Sequence, residues 1–159
     1  MNKIIDARIV LKEYLDEKSF GEIRQLQELS RRADGSNLKL ELDYKLAAAK
    51  NSSRGPIKRI DEFMYYNGDT LIGYIGISDF GGRDIEVNGM VHPAYRKRGV
   101  FKTLFALVFE EWQKRSSNNM LIMTDRNSVA GTGFIGSIGA AYHHTEYEMI
   151  LSDMPFENI

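Results

Sequence analysis

The side chains with the clearest chemistry lie in one short stretch, VHPAYRKRGVFKTLF, which spans residues 91–105. Arg96, Lys97 and Arg98 come directly before Gly99, and an amphipathic run follows at once. A helix that begins there already carries free backbone N–H groups and a partial positive charge, so added cations do not stabilise it. The arrangement favours an anionic ligand, which a glycine lets approach the backbone closely. A pyrophosphate is the ligand that this turn predicts.

Other anion-binding explanations fit this stretch less well. The spacing G-x-x-x-x-G-K-[ST] of a P-loop is missing, and one glycine does not make a dinucleotide fingerprint. A nucleic-acid patch is disfavoured, because the formal net charge is −1 and no second basic cluster or aromatic platform supports it. The alternative that stays open is an ordinary solvated cationic turn.

A second set of candidates comes just before this turn, in the segment IEVNGMV. In a strand, Glu86, Asn88 and Met90 share one face, and the other face carries Ile85, Val87, Gly89 and Val91. A strand inside a helix-covered sheet is expected to be apolar on both faces, so two polar residues need partners or a cavity. Glu86 is therefore a candidate general base, acting directly or through water. The alternative is that this part of the strand faces solvent.

Hydrophobic spacing predicts the elements that must position these residues. SFGEIRQLQELSRRADG has the period of a helix, with Gly35 as its stop. NLKLELDYKL alternates like a strand, yet the good helix formers in its second half favour a helix toward its end. Three strands follow, in IDEFMYY, TLIGYIGIS and RDIEVNGMV. Asn67-Gly68-Asp69 and Gly81-Gly82 join them, so the pattern predicts an antiparallel meander.

After the meander the sequence predicts helix, strand, helix and strand. VFKTLFALVFEEWQKR has one apolar helical face, and NMLIMTD is typical of a buried strand. Asn127 or Ser128 can cap VAGTGFIGSIG, although its glycines make it a poor helix former, and YEMIL closes as a strand. The fold class is therefore α/β (α+β), with helices on both faces of a mixed sheet.

Length and composition exclude several classes of protein. The 159 residues, 43% of them hydrophobic, suit a single domain over residues 1–159. The absence of cysteine excludes disulfides and cysteine-based zinc sites, and the histidine spacing does not favour a metal. Charges interrupt each apolar run of the N-terminus, so no signal peptide is predicted, and no run is long enough to span a membrane. We expect a cytoplasmic protein without nucleic-acid or membrane partners.

The stretch VHPAYRKRGVF resembles the coenzyme A motif of the GNAT superfamily of N-acetyltransferases. The family pattern is [QR]-x-x-G-x-[GA] after a strand that ends in V-x-P; Arg96 and Gly99 match it, and Phe101 replaces its last small residue. A second family segment, N-x-x-A-x-x-x-Y-x-x-x-G-F, matches poorly. Asn127 can be placed on it, and we take Ile135 as the residue at the tyrosine position.

The resemblance implies how the coenzyme would bind. Pantetheine would lie where the strand IEVNGMV splays from NMLIMTD around a bulge, and a backbone N–H near Met90 or Val91 would face the thioester. The amides of residues 98–103 would hold the pyrophosphate, and Asn127 would contact the pantetheine arm or the entry of the cofactor. The implied cofactor-binding residues are Met90, Val91, Arg96, Arg98, Gly99, Val100, Phe101, Lys102, Thr103 and Asn127.

The resemblance also implies a reaction, the direct attack of an amine on acetyl-CoA without a metal. The implied catalytic residues are Glu86, Asn88 and, as a substitute for the missing tyrosine, Tyr142. The acceptor amine stays open between a small molecule and a peptide or protein, and a homodimer stays open as well. The rival interpretation is a sensor or interaction module that binds acyl-CoA without catalysis, which Ile135 motivates.

Overall fold

The computed structural model describes residues 2–51, 55–79, 84–116 and 119–139. The predicted strand YEMIL and the Gly81-Gly82 turn lie outside these residues. The described elements, with a 3₁₀ turn at Pro93–Tyr95, are β1 (Ala7–Lys12), α1 (Glu17–Asp34), α2 (Leu42–Lys50), β2 (Glu62–Asn67), β3 (Thr70–Ser78), β4 (Asp84–Val91), α3 (Val100–Gln113), β5 (Asn119–Ile122) and α4 (Val129–Ser137).

The strands form one sheet in the order of the sequence, from β1 to β5. The neighbours from β1 to β4 are antiparallel, and β5 lies parallel to β4. The parallel pair is joined through α3, since a parallel connection needs a long crossover. The predicted mixed sheet is therefore confirmed, as are the three strands of the meander.

The sequence patterns do not predict β1, so the expected antiparallel meander is one strand too short. None of the six residues of β1 is buried, although Ala7, Ile9 and Leu11 alternate along it. Its position depends on a partner instead: the register with β2 runs from Ala7 opposite Asn67 to Lys12 opposite Glu62. The Asn67 side-chain oxygen also accepts the amides of Ile5 and Asp6.

Helices cover both faces of the sheet, as predicted. Adjacent residues of β3 point to opposite faces. Tyr74 packs with Ile23 of α1 and Leu42 of α2, whereas Ile75 packs with Leu104 of α3. One face therefore carries α1 and α2, and the other carries α3.

Local signals set the helix ends. The Asp16 carboxylate accepts the Ser19 amide at 2.7 Å and caps α1, and Gly35, with φ of 67°, ends it as predicted. The Ser128 hydroxyl accepts the Gly131 amide at 3.0 Å and begins α4, despite the low helix propensity of the glycines. No helix in the described ranges is long and apolar enough to cross a membrane.

Candidate functional site

The sheet opens between β4 and β5 partway along β4. The last paired residues are Val87 and Ile122, and the Met123 amide still donates to the Val87 carbonyl at 2.8 Å. Beyond that bond β4 continues to Val91, while β5 has already ended. This is the predicted splay, and we call the edge of β4 that it exposes the β4–β5 opening. The predicted bulge is absent from this part of β4, because its register with β3 is continuous.

Backbone direction decides which groups face the β4–β5 opening. The His92 amide donates toward β3 at 2.7 Å, whereas the Val87 carbonyl is bonded toward β5. Because the backbone groups of successive strand residues point to alternate sides, the N–H and C=O groups of Gly89 and Val91 face the opening. Met90 turns its backbone toward β3 and buries its side chain in the core. Of the two amides that the resemblance suggested for the thioester, only that of Val91 therefore faces the opening.

Free backbone donors mark the start of α3, which follows β4 after one turn. The first helical bond runs from the Thr103 amide to the Gly99 carbonyl at 3.0 Å. The amides of Val100, Phe101 and Lys102 therefore have no acceptor within the helix. Among the four α-helices in the described residues, α3 alone has neither a side-chain cap nor an acidic residue in its first turn.

Three cations at the junction between the turn and α3 point into solvent. Lys97, Arg98 and Lys102 are exposed, and none of them makes an ion pair or side-chain hydrogen bond within the part of the chain that is described. Lys97 and Gly99 both have positive φ, 61° and 78°, and turns with such residues form anion-binding concavities. A Cβ on Gly99 would meet no atom within 4 Å, so the space beside this residue is open.

Three solved structures illustrate what this chain is similar to. A ribosomal-protein-alanine N-acetyltransferase from Brucella melitensis biovar Abortus 2308 is 16% identical with a TM-score of 0.61, over 91% of this chain and 99% of that one. A GCN5-related N-acetyltransferase from Sphaerobacter thermophilus is 16% identical with a TM-score of 0.62, over 82% and 42%. An aminoglycoside N-acetyltransferase in complex with CoA is 17% identical with a TM-score of 0.56, over 94% and 97%. The chain has the GNAT fold.

The motif from Arg96 to Phe101 suggested the GNAT fold, and the similar structures confirm that fold. No protein-family model matches the chain, and no curated protein is significantly similar in sequence. At the low identities of the solved structures the likeness extends to the fold, so the chemistry has to be argued from the residues of the site.

Arg96 is bound inside the protein. Its Nη1 and Nη2 donate to the two carboxylate oxygens of Asp34 at 2.6 and 2.7 Å, and its Nε donates to the Val91 carbonyl at 3.2 Å. The predicted direct contact of Arg96 with the coenzyme has no support in this geometry, which ties the turn to α1 instead. The sequence contains a signal for this contact. Asp34 is a carboxylate at a helix C-terminus, where the helix dipole disfavours it, so a cationic partner could have been expected.

The polar groups of Asn127 are also bonded within the chain. Its Nδ2 donates to the Gly35 carbonyl at 3.2 Å, and its amide donates to an Asp125 oxygen at 2.7 Å. The other Asp125 oxygen accepts the Asn37 amide at 2.7 Å. These bonds hold the connection between α1 and α2 at the end of β5. The predicted contact of Asn127 with the coenzyme therefore has no support in the structure.

Met90 packs in the core on the α1 side of the sheet, and Val87 packs in the core on the α3 side. Because residues two apart on a strand share a face, Glu86 and Asn88 lie on the α1 side with Met90, as the alternation predicts. In the described ranges the half-buried Glu86 carboxylate makes no hydrogen bond or ion pair. Asn88 Nδ2 donates to the Lys39 carbonyl at 2.8 Å, and Oδ1 is buried without a donor. The Glu86 carboxylate therefore lies where β4 still pairs with β5, opposite Leu121, and the buried Asn88 oxygen lies one residue past the last pair.

A buried ionic cluster under α2 was not predicted. Lys45 Nζ donates to Glu62 Oε2 at 2.8 Å and to the Ile77 carbonyl at 2.6 Å, and the Tyr74 hydroxyl donates to Glu62 Oε1. Burial raises the pKa of Glu62 to about 7, although Lys45 opposes the shift. Burial also raises the pKa of Tyr74 well above its ordinary value. Glu62 and Asn88 lie opposite the same residue of β3, so the cluster is two strands away from Asn88.

The last of the predicted site residues lie in the first turn of α3 and in or after α4. The Val100 and Phe101 side chains pack in the core, so their amides alone can serve a ligand. Counted from Asn127, the tyrosine position of the family segment falls on Phe134, so its placement on the half-buried Ile135 is wrong by one residue. Phe134 of α4 meets Phe101 edge-on, with ring centroids 4.6 Å apart. Tyr142 lies outside the described residues.

Proposed function

We propose that this protein transfers an acetyl group from acetyl-CoA to a primary amine. The observation that carries the proposal is the uncapped start of α3, which lies among exposed cations at the end of the β4–β5 opening. The amides of Val100, Phe101 and Lys102 supply donors for a pyrophosphate, and Arg98 and Lys102 add charge. The shared fold with N-acetyltransferases, one of them in complex with CoA, supports the same conclusion.

The edge of β4 suits the acetyl-bearing arm of the donor. Gly89 and Val91 direct backbone groups into the β4–β5 opening, where an extended amide chain can pair as an added strand. An N–H group at this edge would stabilise the charge that develops on the thioester oxygen during attack. The same edge would therefore bind the donor and polarise its reacting carbonyl.

The acceptor nitrogen attacks the thioester carbon, a C–N bond forms, the C–S bond breaks and the coenzyme leaves as a thiolate. An amine with a pKa of about 10 is mostly protonated at neutral pH, so a base must remove a proton. Glu86 is our proposed base, directly or through water, because its carboxylate has no partner among the described residues. The acid that protonates the thiolate is not assigned.

A binding module without catalysis is the second candidate. Phe134 favours it, because this side chain stands where the family pattern has a tyrosine and cannot transfer a proton. In that case the turn and the β4–β5 opening would hold acyl-CoA as a signal.

Thiol release from acetyl-CoA, measured across a panel of amines, separates these functions. The names of the similar structures suggest aminoglycosides and peptides that begin with alanine, to which we add polyamines and lysine-containing peptides. We expect amine-dependent release with at least one class. Tight binding of acetyl-CoA without release for every amine would favour the module.

A further inference from the structure

The guanidinium of Arg96 connects two parts of the molecule that are distant in sequence. The bidentate pair with Asp34 is a strong and directional contact, and both side chains are largely buried, at 23% and 13% exposed. The third contact, from Nε to the Val91 carbonyl, lies at the end of β4. Arg96 therefore links the end of α1, through Asp34, to the end of β4, through the Val91 carbonyl.

The Val91 carbonyl is one of the groups that face the β4–β5 opening. With Arg96 bonded to it, the free backbone groups of this edge are the N–H and C=O of Gly89 and the N–H of Val91. An amide of an extended ligand has one donor and one acceptor. It can therefore place its N–H on Gly89 and its C=O on Val91, but the next acceptor along the strand is already taken.

We propose that Asp34 and Arg96 form a positioning pair that removes the Val91 carbonyl from the open edge and so fixes the register in which the pantetheine arm pairs with β4. This inference rests on the proposed function. Strand pairing slips in steps of two residues when one face is kept, and such a step moves the arm by roughly 7 Å. An acyl carbon displaced by that distance is far outside the contact of about 3 to 3.5 Å that attack requires.

The placement of Asp34 supports a role beyond the stability of α1. It is the last residue of α1, where the helix dipole disfavours a carboxylate. The last turn also contains Arg31 and Arg32, yet both bond to Glu28 and neither to Asp34. The partner of Asp34 is instead 62 residues away, at Arg96. Arg96 begins the segment of residues 96–103 that we propose binds the coenzyme, which we call the coenzyme turn.

Two ligands distinguish positioning from direct phosphate binding. Coenzyme A contains the pantetheine arm, whereas its nucleotide half contains the pyrophosphate and adenosine without the arm. We expect calorimetry to show that Asp34→Asn weakens the binding of coenzyme A by roughly tenfold, which is the effect of one lost charge-assisted contact. The affinity for the nucleotide half should not change. Asp34→Glu, which keeps the charge, should recover part of the affinity.

Arg98→Gln is the matched control, because this neighbouring cation is exposed and has no side-chain partner among the described residues. This substitution should weaken the binding of coenzyme A and of its nucleotide half by the same factor. Thermal unfolding of each variant confirms that it is folded, and Arg96→Lys, which cannot form the bidentate pair, should repeat the Asp34→Asn pattern. Equal losses for both ligands in Asp34→Asn, or no loss for either, would overturn the positioning role. A parent protein that binds neither ligand would instead overturn the proposed function, and this inference with it.

Discussion

The Lys45 ammonium lies 2.8 Å from the Glu62 carboxylate, in a site where their side chains are 8% and 2% exposed. Removing two charges from water is costly, and the Ile77 carbonyl and the Tyr74 hydroxyl offset part of that cost by satisfying the remaining sites. The pair attaches α2 to the sheet on the side of Glu86 and Asn88. It therefore supports the surface on which we place the acceptor amine.

The raised pKa of Glu62 predicts a pH-dependent stability. The pKa is about 7 in the folded protein and 4.5 for an ordinary glutamate, so the folded state keeps this proton over a wider range. The resulting stability is fully present below pH 4.5 and is lost as the pH rises toward 7. The change is on the order of 3 kcal/mol.

Denaturant unfolding of the parent and of Glu62→Gln across this pH range measures the effect. The parent should lose stability relative to the variant as the pH rises, because glutamine does not titrate. A difference between the two proteins that stays constant with pH would show that Glu62 remains ionised throughout.

The parts of the molecule that the sequence predicts are those with local signals. The start of α3 follows from residues next to each other, and the stop at Gly35 follows from one residue type. The pair of Lys45 and Glu62 gives no such signal, because each appears as an ordinary surface charge until a contact across 17 residues buries both. The exposed edge strand β1 was missed although Ala7, Ile9 and Leu11 alternate along it, because so short a run became recognisable only through its pairing with β2.

Glu86→Gln tests the proposed base while keeping the shape of the side chain. We expect kcat to fall by roughly ten- to a thousand-fold, the effect of losing a general base, and the acidic limb of the pH–rate profile to change. The affinity for acetyl-CoA should be unaffected, since the coenzyme turn lies elsewhere. Glu110→Gln, at an exposed position of α3, is the control. Full activity of Glu86→Gln at every pH would remove Glu86 from the mechanism.

Ile135→Val tests whether the side chain directly after the tyrosine position matters to the chemistry. The substitution removes one methylene from a half-buried position, so it should cost about 1 kcal/mol of stability or less. Turnover should stay within a few-fold of the parent, because neither side chain transfers protons. A loss on the order of a hundredfold with normal coenzyme binding would mean that the alignment of α4 with the family segment is wrong.

The most direct test of the central claim, that coenzyme A binds at the start of α3, is calorimetric titration of Gly99→Val and Gly68→Val with acetyl-CoA. Both glycines have positive φ, 78° and 61°, and neither has an atom within 4 Å of an added Cβ. Each valine should therefore cost roughly 1 to 2 kcal/mol of stability through backbone strain. Only Gly99 lies in the coenzyme turn, so we expect binding to be lost in Gly99→Val and preserved in Gly68→Val. An unchanged dissociation constant in folded Gly99→Val would contradict the account.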